Sequence, residues 1–211
     1  MFTDRIEAGM LLADKLRKYQ GQPGVILAVP RGGVPVAYAV AKELGLPLEL
    51  ILTKKIGHPM NKEYAIGAVS LTDAFVIPHQ GVSQSYIEQE VKAVRDRLRE
   101  MYRKFMGNKE PDSLAGKTVI VIDDGVATGN TLLSTIKILR KEKPARIVVA
   151  VPVASDSAVQ KLSEAADELV VILIPEEFYG VGAFYEDFEQ VSDEDVMYYL
   201  DKWRKETRKV G

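Results

Sequence analysis

The chain has 211 residues, 46% hydrophobic and 27% charged, with a formal net charge of −2; this is room for one domain, or one plus a subdomain, and a composition that excludes disorder. The lack of cysteine excludes disulfides and thiol chemistry, the charge balance argues against a general nucleic-acid binder, and the two histidines lack zinc-site spacing. No apolar run approaches the ~20 residues that span a bilayer, and the opening Asp4, Arg5 and Glu7 do not make a signal peptide, so a cytoplasmic, non-membrane protein is expected.

Asp4 to Tyr19 predicts an amphipathic helix: Asp4 and Glu7 have capping-box spacing, and Ile6, Met10, Ala13 and Leu16 share a face. Gly24 to Val29 is a short apolar strand, then come Pro30-Arg31-Gly32-Gly33 and a helical run from Val34 to Leu44. Gly32 and Gly33 can expose consecutive N–H groups as an anion-binding nest, and Arg31 adds a forked cation suited to phosphate. Pro47 to Thr53 is the next strand. Lys54 to Glu63 is polar, basic and punctuated by Gly and Pro, and predicts either a mobile lid over a polyanion or a solvated turn. Lys54 and Lys55, nearest the sheet edge, are the favoured anion contacts; His58 is a weaker candidate and Glu63 a salt-bridge partner within the lid. Strand character resumes over Ala65 to Ser70 and again over Ala74 to Ile77. Ser85 and Glu88 then start a long charged helix to about Met106, with the stripe Ile87, Val91, Val94, Leu98, Met101 and Phe105.

Val119 to Ile122 is a β-branched run that reads as a strand buried on both faces. Asp123 and Asp124 follow where such a strand leaves the sheet, and Gly125 to Thr131 turns into a helix that runs to about Glu142. In an open parallel sheet, ligands bind beyond the carboxyl ends of the strands, and a helix start offers unpaired N–H groups to an anion. Thr128, Asn130 and Thr131 add side-chain donors, while Gly129 tolerates positive φ. The two carboxylates repel phosphate but accept hydrogen bonds from vicinal hydroxyls. Phosphate at one end and a diol at the other describe a sugar phosphate. The aspartates are adjacent, unlike the D-x-D of magnesium phosphatases, and no lysine precedes Thr131 as a P-loop requires.

Arg146 to Val151 is a further buried strand that Pro152 should stop. Ser155 to Ala166 is helical and Glu168 to Ile174 is the last core strand, so strands and helices alternate and predict a mainly parallel sheet flanked by helices. Pro175 to Phe188 is aromatic, with Phe178, Tyr179, Phe184, Tyr185 and Phe188. Ser192 and Asp195 then cap a terminal helix to about Arg208.

The stretch VIVIDDGVATGNT, Val119 to Thr131, resembles the phosphoribosyl diphosphate (PRPP) signature of type I phosphoribosyltransferases: an apolar strand, an acidic pair and a turn of the form x-x-x-T-G-x-T. It departs at Gly125, where the family usually has an aliphatic residue, and at Asn130, often glycine. AVPRGGVPVA, Ala28 to Ala37, is similar to the family's pyrophosphate turn. The resemblance implies an α/β core over residues 1–174, a helical insertion over about 78–115, and a small hood over 175–211. It implies transfer of ribose 5-phosphate from PRPP, with Mg²⁺, to an acceptor nitrogen, and release of pyrophosphate. Asp123 and Asp124 would hold the ribose hydroxyls, and Gly125, Val126, Ala127, Thr128, Gly129, Asn130 and Thr131 the 5-phosphate. Arg31, Gly32, Gly33 and Lys54 or Lys55 would hold the diphosphate. Arg31, Lys54, Lys55 and Asp124 are thus the candidate catalytic residues. Mg²⁺ would bind through substrate oxygens, with Asp123 or Asp124 reaching it through water, and Phe178 and Tyr179 would stack on the acceptor, whose identity stays open. A homodimer is common in the family. Two other readings stay open: a PRPP- or nucleotide-binding regulatory module without turnover, and a phosphate-ester hydrolase using Asp123.

Overall fold

The computed structural model describes residues 1–207, with the exception of the Glu63 side chain. The expected lid role of Glu63 and the end of the terminal helix at Arg208 lie outside the described residues.

The first helix, α1, is Arg5–Lys15, followed by a 3₁₀ turn at Arg17–Tyr19. Asp4 caps it, accepting from the Glu7 amide at 2.8 Å, while the Glu7 carboxylate accepts from the Thr3 amide. Its buried face is Ala8, Gly9, Leu12 and Ala13, and the expected Met10 is 52% exposed. The face is turned by Gly9: a Cβ there would stand 2.6 Å from Val36 O, so the close approach of the next helix selects this side. Strand β1 is Gly24–Ala28, α2 is Gly33–Leu44 and β2 is Leu48–Leu50.

Residues 54–63, expected as a loop, are instead arms of an antiparallel hairpin. Strand β3, Lys54–His58, turns through Pro59 and Met60 into β4, Asn61–Val69, and β5, Ala74–Val76, completes a separate three-stranded sheet. The side-chain period fails here because the pairing shifts register at Ile56/Gly57 and Gly57/His58, so the hydrophobic alternation that announces a strand is interrupted. Helix α3, Gln84–Met106, is capped by Ser83 rather than Ser85. Its buried stripe is Val94, Leu98, Tyr102, Phe105 and Met106, with Met101 exposed. Tyr102 takes the inward place because its hydroxyl reaches the carboxylate of Glu49, at 3.3 Å. Glu49, in the middle of β2, is 3% exposed and also pairs with Lys109 of the linker that follows α3. The helix also holds the hairpin: Tyr86 Oη donates to Gly57 O at 2.7 Å, and Lys62 pairs with Glu90 at 2.9 Å.

The rest of the chain alternates strand and helix: β6 Thr118–Ile122, α4 Asn130–Lys141, β7 Arg146–Val153, α5 Asp156–Ala165 and β8 Glu168–Leu173. Pro152 does not stop β7. The register with β8 has no pair at Pro152 and resumes at Val153↔Leu173, so the missing amide hydrogen is not needed. The five core strands are parallel in the order β2-β1-β6-β7-β8. Alternate residues feed two cores: Ile26, Ile120, Ile122 and Val148 face α1 and α2, while Val25, Val119, Val121 and Val149 face α4 and α5. The last helix, α6, is Asp193–Thr207. Of the segment expected as a hood, this helix packs back on the core, with Val196 and Leu200 in the same cluster as α2. Residues 178–188 form a smaller aromatic cluster with Phe2 and Val153.

The strand order reverses between β1 and β6. From β1 the chain moves through α2 to β2 on one side, and from β6 through α4 to β7 on the other. A crevice therefore opens beyond the carboxyl ends of β1 and β6, the place where such sheets bind ligands.

Candidate active site at the sheet switch point

Two loops meet in this crevice, residues 29–33 after β1 and 123–131 after β6. The Val29 amide donates to Ile122 O at 2.9 Å, and the Gly33 amide to Val29 O at 3.0 Å. A Cβ on Gly33 would stand 2.7 Å from Ile122 O and 2.9 Å from Asp123 Cα; one on Gly32 would stand 2.1 Å from Asp124 Oδ2. Both glycines are therefore needed for close approach of the loops. They do not form the expected nest of consecutive free amides, because the Gly33 amide is engaged and Gly32, at φ −58°, lies in the ordinary helical region. The Pro30–Arg31 peptide is cis.

The acidic pair is deeply set. Asp124 Oδ2 accepts from Arg5 Nε at 2.9 Å, with the two side chains 14% and 11% exposed. Arg5 also donates from Nη1 to Glu189 O at 2.8 Å, and its guanidinium stands 3.9 Å from the centroid of Phe188. Tyr185 Oη donates to the Asp124 carbonyl at 2.6 Å, and Asp123 Oδ1 accepts from the Asp124 amide at 2.9 Å. Burial pushes Asp123 well above the usual carboxylate range, and the charge of Asp124 adds to this. Burial also raises Asp124, against the opposing pull of Arg5. Of the pair, Asp124 is the one in direct contact with a cation, Arg5.

Beyond the pair, Gly125 touches residues from two other segments. A Cβ there would stand 2.5 Å from Val181 Cγ1 and 2.8 Å from Val153 Cγ1. Val181 thus occupies the space that an aliphatic residue at 125 would fill. Gly129 has φ +74° and precedes α4, whose first internal bond runs from the Leu133 amide to Gly129 O at 2.8 Å. Val126 is buried, whereas Ala127, Thr128, Asn130 and Thr131 are exposed at the mouth of the helix.

Arg31 lies at the rim, its side chain 48% exposed, and donates from Nε to Asp193 Oδ1 at 2.6 Å. Asp193 also accepts from Lys104 Nζ at 2.6 Å, and the two cations, Lys104 first, hold its carboxyl below the usual range. Lys54 and Lys55 are exposed at the start of β3, on the hairpin sheet rather than the core sheet. His58 Nδ1 accepts from the Met60 amide at 3.1 Å, closing the hairpin turn. Phe178 packs on Phe184, with ring centroids 5.6 Å apart, whereas Tyr179 is 78% exposed and donates to Glu177 at 2.5 Å. Arg5, Tyr185, Val181 and Asp193 were not among the candidates from sequence. Arg5 reads there as one charge in the first turn of an amphipathic helix, and its partner is 119 positions away.

Comparison with known proteins agrees with this geometry. A family model described as the phosphoribosyl transferase domain matches residues 4–188. A Mycobacterium tuberculosis protein named as a candidate phosphoribosyl transferase is 34% identical over 100% of this chain and 49% of its own length. The chain thus spans about half the length of the curated relatives at that level of identity. A ribose-phosphate pyrophosphokinase of Pyrococcus furiosus is 25% identical, over 79% of this chain and 71% of its own. Among solved structures, a Thermus thermophilus protein is 41% identical with a TM-score of 0.87, covering 96% of this chain and 99% of that one. The chain belongs to the phosphoribosyltransferase family of type I fold, a mainly parallel sheet flanked by helices. No helix among the described residues is long and apolar enough to cross a membrane.

Proposed function

We propose that the chain transfers ribose 5-phosphate from PRPP to a nucleobase-like nitrogen and releases pyrophosphate. The observation that carries this reading is the meeting of the 29–33 and 123–131 loops, with Gly32 packed against Asp124 at the switch point. Family membership supports the reaction class.

On this reading the ribose lies over the acidic pair, its vicinal hydroxyls donating to carboxylate oxygens. The 5-phosphate lies against Ala127 to Thr131 at the start of α4, and the diphosphate against Arg31 and the amide of Gly32. The acceptor nitrogen forms its bond to ribose C1 as the bond from C1 to the diphosphate oxygen breaks. Positive charge grows on the ribose and negative charge on the leaving pyrophosphate. No side chain acts as nucleophile; the residues contribute position and electrostatics. The acidic pair faces the growing positive charge. Arg31, with Lys54 or Lys55 from the hairpin, faces the leaving group. Tyr179, with its ring open to solvent, and Phe178 are the proposed acceptor contacts.

Mg²⁺, when bound, neutralises part of the diphosphate charge. Among the described residues no three or more His, Cys, Asp or Glu gather as a metal cage. The ion would be carried chiefly by substrate oxygens and water, and Asp123 or Asp124 would reach it through a water. The same reading places the enzyme in the cytoplasm.

Calorimetry with PRPP and Mg²⁺, followed by pyrophosphate release with a panel of nitrogen acceptors, tests the proposal. Binding plus acceptor-dependent release supports it. Binding without release for any acceptor would favour a sensing module, and no binding would end the reading. Phosphate-ester hydrolysis through Asp123 is the weaker alternative, since the two aspartates are adjacent and do not form the D-x-D pattern of magnesium phosphatases.

A further inference from the structure

The backbone from Val126 to Thr128 is held from outside by α5 and its N-cap, Ser155. The Ser155 amide donates to Val126 O at 3.0 Å. The Ser155 hydroxyl donates to Ala127 O at 2.5 Å. Lys161 Nζ donates to Thr128 O at 3.0 Å and to Asn130 Oδ1 at 3.4 Å. Three successive carbonyls are therefore drawn to one side.

In a trans peptide the C=O and the N–H of one unit point in opposite directions, and these peptides are trans. The amides of Ala127, Thr128 and Gly129 accordingly point away from α5. None of the three donates to a backbone carbonyl among the described residues. A row of parallel N–H dipoles repels itself and relaxes by peptide rotation unless its carbonyls are fixed. Combined with the start of α4, the row complements an anion with several equivalent oxygens.

We propose that Ser155 and Lys161 are positioning residues that preset the amides of Ala127, Thr128 and Gly129 for a phosphate monoester without touching it. On the reading above, which this inference rests on and deepens, that monoester is the 5-phosphate of PRPP. Ser155 does so while capping α5, its Oγ accepting from the Ala158 amide at 3.1 Å. Lys161 is exposed and anchors the carbonyl by a charge-assisted bond.

The test titrates the wild type, Lys161→Met and Ser155→Ala with PRPP–Mg²⁺, with ribose 5-phosphate and, separately, with pyrophosphate–Mg²⁺. Loss of one anchoring bond should weaken ribose 5-phosphate binding roughly tenfold and leave pyrophosphate within about twofold. Lys161→Arg and Ser155→Thr, which keep the donors, should restore affinity. In the ligand-free protein the ¹³C carbonyl resonance of Thr128 should move in Lys161→Met, a change that a direct phosphate contact would not produce. Ser155→Ala also removes a helix cap and is open to misfolding, so the exposed Lys161 position decides. Ribose 5-phosphate affinity unchanged in Lys161→Met, or equal losses for both probes, would overturn the positioning role alone. A wild type that takes up neither PRPP nor ribose 5-phosphate would sink the proposed function and this inference with it.

Discussion

Arg5 and Asp124 are joined by an ion pair at 2.9 Å between the first helix and the end of the central strand, both side chains largely withdrawn from water. The guanidinium spans the carboxylate, the Glu189 carbonyl and the Phe188 ring. Arg5→Ala should therefore cost about 3 kcal/mol, because it leaves a buried carboxylate without its counter-charge. Denaturant titration checks this. The loss should be smaller in acid, where Asp124 is protonated in both folded and unfolded chains. Asp124→Asn should suppress most of the penalty when combined with Arg5→Ala. An additive double-mutant cycle would mean that the ion pair is not what Arg5 contributes.

Asp123→Asn should stabilise the ligand-free protein while weakening PRPP binding. The folded-state pKa of Asp123 is raised, so the folded chain binds more protons than the unfolded one above the ordinary carboxylate range. Wild-type stability consequently falls as pH rises through that window. Asn keeps the acceptor for the Asp124 amide and carries no charge. A gain on the order of 1 kcal/mol, about 2–4 °C in Tm, is expected at neutral pH. It should vanish near pH 3, where the aspartate is protonated in either state. Thermal melts across pH would show a flat difference if burial of the charge were unimportant.

Gly125→Val should destabilise by about 1–3 kcal/mol through overpacking, since the space beside residue 125 is filled by Val181 and Val153. Trimming Val181 to Ala in the same chain should recover part of the loss. A neutral single substitution, measured by thermal melting, would show that the 178–188 segment can shift aside.

Asp193→Asn should change stability by less than about 1 kcal/mol, because its partners Arg31 and Lys104 are about half exposed. Freed from a competing carboxylate, Arg31 should bind pyrophosphate a few-fold more tightly. Weaker pyrophosphate binding would mean that Asp193 orients Arg31 rather than competing for it.

Lys55→Ala should lower kcat more than it raises KM if the hairpin acts on the leaving group. A change confined to KM would assign Lys55 to ground-state binding.

The central sheet was legible because strands buried on both faces read as unbroken β-branched runs, as Val119 to Ile122 do. The two loops were legible because their small residues follow such strands directly. The hairpin was not, since register shifts around Gly57 break the alternation that identifies a strand. The inward faces of α1 and α3 were legible in part: Ala13, Leu16, Val94, Leu98 and Phe105 are buried as expected, whereas Met10 and Met101 are exposed. In α3 the choice between Met101 and Tyr102, three and four positions past Leu98, is made by Glu49 from another strand. Arg5 and Val181 escaped for the same reason: their contacts with residues 124 and 125 arise only when distant segments meet. Local pattern can place the glycines but does not reveal which atoms press against them.

The pairing of Glu49 with Lys109 and Tyr102 bears on any attempt to trim the protein. Excising residues 78–115 to make a minimal core would strip away both partners and strand an anion in the middle of a core strand. A shortened version should express poorly or aggregate unless Glu49 is replaced by an apolar residue in the same design. The excursion through α3 is therefore not a detachable ornament: the central sheet has come to depend on it.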